Sequence, residues 1–122
     1  MSVYPEDFLK LAKELTNNTF NCPDEIISRT VVNRAYYSAF LSARIAAKIT
    51  STSGSVHGDV IDYFKGKKKT GVSNRLDSMK ILRQKADYRP NESLTPQEAQ
   101  NCCRQANRVI SALALEPDNS SN

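Results

Sequence analysis

Apolar residues between Pro23 and Ile49 fall on two lines of a single helix, and this restricts the possible folds more than any other feature of the chain. Ile27, Val31, Ala35, Leu41, Ile45 and Ile49 follow one line, and Tyr36, Phe40, Ala43 and Ala47 follow another. A helix apolar over so wide an arc must touch neighbours on more than one side. The pattern predicts a central helix in a bundle.

The other segments agree, since helical spacing recurs and no β-type alternation is sustained. A short first helix is expected from Pro5 to about Thr16, with proline suited to the first helical position. Asn17, Asn18, Thr19 and Asn21 then form a polar break. The segment TSTSGS closes the central helix, and Ser55 is placed to cap the next one, which has Val60, Ile61 and Phe64 to bury. GKKKTG reads as a basic turn. A fourth helix carries Val72, Leu76, Met79, Leu82 and Ala86, and it must stop near Pro90. Thr95, Pro96 and Glu98 combine a capping box with a first-turn proline. They open a last helix whose inner seam is Ala99, Cys102, Ala106, Val109 and Leu113. The expected fold is all-α: an antiparallel four-helix up-and-down bundle with an additional short N-terminal helix, spanning residues 1–115. Residues 116–122 are expected to form a disordered tail.

At 122 residues the chain suits one domain and can bury a core without disulfides or metal. Three cysteines without a CxxC suggest neither a disulfide framework nor a zinc site. The N-terminal residues lack a signal-peptide pattern, and no apolar run approaches membrane-span length. A reduced, cytoplasmic protein with no membrane association and no cofactor is expected. The net charge of +4 is unevenly placed. Between Lys65 and Arg89, nine lysines and arginines stand against Asp77 and Asp87, a local balance of +7. A focused positive region suits a polyanion such as RNA, or the phosphates of a nucleotide. A merely solvated basic loop is the competing explanation.

Three segments occur in a telling order: NRAYYSAFLSARIAAK in the central helix, then His57-Gly58, then Arg83 followed by Ala86-Asp87-Tyr88. Together they resemble prokaryotic members of the HEPN family, over nearly the whole chain from Pro5 to about Leu113. The resemblance implies a helical bundle that pairs as a homodimer. It also implies a setting beside a minimal nucleotidyltransferase partner, in toxin–antitoxin or defence systems. Active HEPN ribonucleases carry an arginine followed, after four to six residues, by a histidine, and they cleave RNA without metal. Arginine can steady the scissile phosphate and histidine can move protons near neutral pH. Here the positions five to seven after Arg83 are Tyr88, Arg89 and Pro90, so that motif is missing.

The expected function is therefore a HEPN-type RNA- or nucleotide-binding module. Lys67, Lys68, Lys69, Arg83, Lys85 and Arg89 are its candidate binding residues. Arg83, Asp87 and Tyr88 are expected to line one partly exposed cleft at the helix end, and they are the candidate catalytic group should any cleavage exist. That alternative is a divergent metal-independent endoribonuclease without the usual histidine. Tyr88 is a poor substitute base at neutral pH, its ordinary pKa being near 10. A second alternative is a protein-interaction module for an acidic partner. Within the bundle, Arg83 and Asp87 have the spacing of an intrahelical ion pair. Arg34 is a candidate internal clamp whose partner would be Asp87. His57 reads as a packed or capping residue more readily than as a base. Tyr36 and Tyr37 read as core and dimer contacts.

Overall fold

The computed structural model describes residues 4–17, 24–50 and 54–115. Five helices follow in order: α1 Pro5–Asn17, α2 Asp24–Ala47, α3 Val56–Gly66, α4 Thr70–Tyr88 and α5 Pro96–Leu115. The described residues contain no strand. The expected tail and all of the polar break beyond Asn17 lie outside them, as does Cys22.

The double apolar pattern has the predicted consequence, because α2 contacts all four other helices. Its Val31, Val32, Ala35, Tyr36, Ala39, Phe40 and Ala43 are buried, so most of its circumference between those positions is core. Ala35, Ala39 and Ala43 are small, and α5 meets α2 with Ala99 and Ala106, also buried. Short side chains on both helices let the axes approach closely. Leu76 and Met79 of α4 and Val60 and Phe64 of α3 complete the core. Each such side chain, fully removed from water, contributes about 1.5–3 kcal/mol. Among the described helices, α3 packs only on α2 and α4.

Two local expectations are corrected. The line through Ile45 and Ile49 does not stay inside, for Ile45 is exposed. α2 stops at Ala47, because Lys48 takes a left-handed φ of 59°. The amide of Ile49 then donates to the Arg44 carbonyl at 3.2 Å and that of Lys48 to Ile45 at 3.0 Å, closing the last turn. Lys68 ends α3 in the same way, with φ 62°. Ser55 makes no side-chain cap on α3: its φ of −94° and ψ of 7° are not the extended geometry an N-cap needs. Its hydroxyl instead donates to Asp59 at 3.4 Å.

The capping box at α5 forms as expected. The Glu98 amide donates to the Thr95 hydroxyl at 3.1 Å, and the Thr95 amide donates to the Glu98 carboxylate at 2.9 Å. That hydrogen bond, with a second one from Lys85, holds the Glu98 carboxyl below its ordinary pKa. No helix among the described residues is long and apolar enough to cross a membrane.

Candidate functional site

α2, α3 and α4 bring three chemically active side chains together. Tyr36 lies on the buried side of α2, and His57 lies in the first turn of α3. The Tyr36 hydroxyl and His57 Nδ1 are 2.7 Å apart. The imidazole also stacks on Phe40, with ring centroids 4.1 Å apart. Burial pushes the Tyr36 hydroxyl well above its usual pKa, so it stays a neutral phenol at the histidine's edge.

His57 borders an open cleft of about 520 Å³, walled by α3 and by Lys80, Arg83 and Gln84 of α4. Asp59 and Asp62 lie on its α3 side. Desolvation lowers the His57 pKa first, and the positive charges of Arg83, Lys80 and Arg44 lower it further. The cleft thus holds a neutral imidazole between cations, fixed through Nδ1 by Tyr36.

This has a measurable consequence for stability. An unfolded His57 titrates near 6.5 and the folded one below that value, so the unfolded state binds a proton first as pH falls. The stability from keeping His57 neutral is full above about pH 6.5 and is lost as pH drops toward the folded pKa. His57 is the only histidine in the chain. Its imidazole proton resonances should therefore report a single titration with a midpoint below 6.5. A midpoint at or above 6.5 would contradict the described environment.

The residues at the end of α4 do not share one cleft, contrary to expectation. Arg83 Nε pairs with Asp87 Oδ2 at 2.9 Å, as the spacing predicted. However, Arg83 lines the His57 cleft, whereas Asp87 lines a smaller one beside Arg29, Asn33 and Arg34 of α2. Tyr88 is 67% exposed, with the Arg83 guanidinium 5.4 Å from its ring centre. The cause is helix geometry, since each residue turns the chain by about 100°. Tyr88 is consequently turned about 100° around the helix from Asp87.

Arg34 is not the clamp. Asp87 accepts its second bond from Asn33 at 3.0 Å, and the Arg34 guanidinium sits 5.9 Å from the centre of the Phe8 ring. Arg29 fills the role instead. Its Nη1 donates to the Lys85 and Ala86 carbonyls, both at 2.9 Å, and its Nη2 donates to the carbonyls of Arg89 and Glu92. Glu25 lies 3.9 Å from Arg29 and accepts the Leu94 amide at 3.0 Å. The first turns of α2 thereby hold both the end of α4 and the loop leading to α5. The signal was present in the sequence. A helix ending before Pro90 with no glycine to cap it leaves carbonyls that need donors.

Several expected binding residues are neutralised within the fold. Lys85 pairs with Glu98 at 3.1 Å, Arg89 pairs with Glu92 at 3.5 Å, and Lys67 leans over Tyr63. Lys68 and Lys69 line a separate cleft beside α5. Among the described residues the cysteines offer no reactive thiol: Cys102 and Cys103 are buried, and burial pushes the Cys102 thiol up to about 12. No group of metal-binding side chains is assembled among the described residues. Compared with known protein families, curated proteins and solved structures, the chain finds no match in any of the three.

Proposed function

We propose that the protein is an RNA- or nucleotide-binding module of HEPN type, and that the His57–Arg83 cleft receives the ligand. The observation that carries this reading is the grouping of His57, Lys80, Arg83 and Gln84 around one open cleft. Lys80 and Arg83 supply positive charge for a phosphate on the α4 wall, across from Asp59 and Asp62 of α3, while the amide and the imidazole supply donors with direction. The reading also includes an antiparallel up-and-down arrangement, a cytoplasmic setting, and a nucleotidyltransferase partner in a toxin–antitoxin or defence system. Homodimerisation belongs to it too. Ile26, Tyr37 and Ile45 are exposed on the outer side of α2, where a second copy would cover them.

A second reading has one observation in its favour. His57 stands in the same cleft as Arg83, although the two lie far apart in sequence and outside the familiar spacing. With Nδ1–H donating to the Tyr36 oxygen, the unprotonated Nε2 could take the proton from a ribose 2′-hydroxyl as its oxygen attacks the adjacent phosphorus held by Arg83. The P–O5′ bond breaks, leaving a 2′,3′-cyclic phosphate, and the imidazolium returns the proton to the leaving 5′-oxygen. That would be metal-independent RNA cleavage.

One set of measurements separates the two. Wild type and Arg83→Gln are titrated with single-stranded RNA in chelator, with the RNA analysed for cleavage and the protein mass followed by light scattering. Binding predicts that the substitution weakens affinity by about tenfold, roughly 1.4 kcal/mol, with the RNA intact. Wild-type cleavage that disappears in both Arg83→Gln and His57→Gln selects the enzyme. Unchanged affinity with no cleavage removes the cleft from function.

A further inference from the structure

Tyr88 is the most exposed large hydrophobic side chain among the described residues, whereas the fold buries Tyr36 and sets the Tyr37 ring edge-on against Phe8. Its place on α4 ties it to the His57 cleft. Lys80, Gln84 and Tyr88 follow one another at intervals of four, which makes them a single row along the helix. The first two line the cleft. The tyrosine stands one turn past Gln84, roughly 6 Å further along the axis.

Arg83 joins the ring to the cleft a second time. It lines the cleft, and its guanidinium lies over the Tyr88 ring, 5.4 Å from the centre. That guanidinium is held from behind, for Nε binds Asp87 Oδ2 at 2.9 Å and Asn33 donates to the same oxygen at 3.0 Å. The Asp87 carboxylate is thereby offset, and on the far side of the ring Arg89 pairs with Glu92. One face of the ring therefore has a fixed cation over it, and most of the residue remains in water. A flat, polarisable group can lie on the other face.

A nucleotide combines a phosphate with a flat π surface, the two features that the cleft and the ring would meet. Bases stack on aromatic side chains largely without regard to sequence, since every base has a π face. That face is free in a single strand or a mononucleotide, and it is covered by neighbouring bases inside a duplex. We propose that Tyr88 is a stacking platform for an unpaired nucleobase whose phosphate meets Lys80 and Arg83 in the cleft. This rests on the nucleotide-binding reading of that cleft and narrows its ligand to single strands or free nucleotides.

The test uses a short oligouridine strand carrying 2-aminopurine at each position in turn, a fluorophore that dims when it stacks. Fluorescence should fall on binding at one position, and the fall should vanish in Tyr88→Leu. The leucine variant should bind the strand about tenfold more weakly, while Tyr88→Phe, which keeps the ring, restores most of the affinity. Both variants should melt within a few degrees of wild type, because the side chain is exposed. A strand made abasic at the quenched position should bind wild type about tenfold more weakly and show no further loss with Tyr88→Leu. Arg83→Gln should reduce the salt dependence of binding by about one phosphate contact, and Tyr88→Leu should leave it unchanged. Adenosine 5′-monophosphate compared with ribose 5-phosphate separates the two sources. A preference for the former that depends on Tyr88 identifies free nucleotides, and dependence seen with strands alone identifies strands. Wild-type affinity in Tyr88→Leu, with Arg83→Gln still weakening the complex, would overturn the platform and leave the cleft reading standing. An equal loss for the intact and abasic strands in Tyr88→Leu would overturn it too, as would a duplex bound as tightly as the single strand. Failure of wild type to bind either strand or mononucleotide would remove the cleft reading and the platform together.

Discussion

Replacing Arg29 with methionine should lower stability by about 3 kcal/mol, toward the upper end for breaking a partly buried polar network. For a chain of this size that is a fall of roughly 10 °C in Tm. Methionine keeps much of the aliphatic stem, so packing changes little and the loss comes from polar groups. Lys85 and Ala86 present two of the last carbonyls of α4, and Arg89 and Glu92 add two from the loop. One planar guanidinium serves all four, a geometry an ammonium cannot copy. Without it the Ala86 and Glu92 carbonyls lose this donor while partly shielded, and the Lys85 and Arg89 carbonyls keep only the amides of Arg89 and Glu92. Arg29→Lys should therefore recover only a minor part of the loss. Denaturant titration of the three proteins measures this, and a loss below about 1 kcal/mol for the methionine variant would show that water replaces the arginine. The α4 end should loosen first, and with it the ion pair of Arg83 and Asp87.

The second large effect joins the core to the cleft. Phe40 is 4% exposed and forms the wall on which the His57 ring lies. Phe40→Ala should cost about 3–4 kcal/mol, the lost transfer energy plus the cavity left behind. Phe40→Leu fills most of the space and should cost about 1–1.5 kcal/mol. The leucine variant is the informative one for the site. With a smaller side chain against the imidazole, water enters and the chief cause of the lowered His57 pKa weakens. Its titration midpoint should move up toward 6.5, with the cationic contribution of Arg83, Lys80 and Arg44 remaining. An unchanged midpoint alongside a clear loss of stability would assign the shift to those cations alone.

The sequence carried the helices well and the site only in parts. Apolar spacing placed α2, and the Thr95–Glu98 box placed the start of α5, because both are local patterns with one physical meaning. Ends were harder where the chain breaks a preference. Lysine at positions 48 and 68 gives no hint of a left-handed turn, since glycine is the residue expected there. The Arg83–Asp87 pair was readable because both partners sit on one helix. Contacts between helices were not. Spacing could nominate Arg34 as a clamp, but whether Arg34 or Arg29 faces the end of α4 depends on how the two helices cross. Tyr36 was expected in the core, and it is there, but its bond to His57 needed the placement of α3. Likewise the basic run was counted correctly, while its effective charge depended on Glu92 and Glu98, which lie outside the stretch that was summed.

α3 has the fewest neighbours among the helices that wall the His57 cleft, resting on α2 and α4 without reaching α5. Its release would uncover Val60, Ile61 and Phe64 while leaving the contacts among α1, α2 and α5 in place. Partial openings of this kind need less free energy than global unfolding and occur far more often. Access to the cleft is then a matter of timing as well as shape. The imidazole rides on the least anchored wall, so entry and exit of a bulky ligand can follow the breathing of α3. An occupant that bridges α3 and α4 would slow that breathing, and its residence time would be set by the helix as much as by its own contacts.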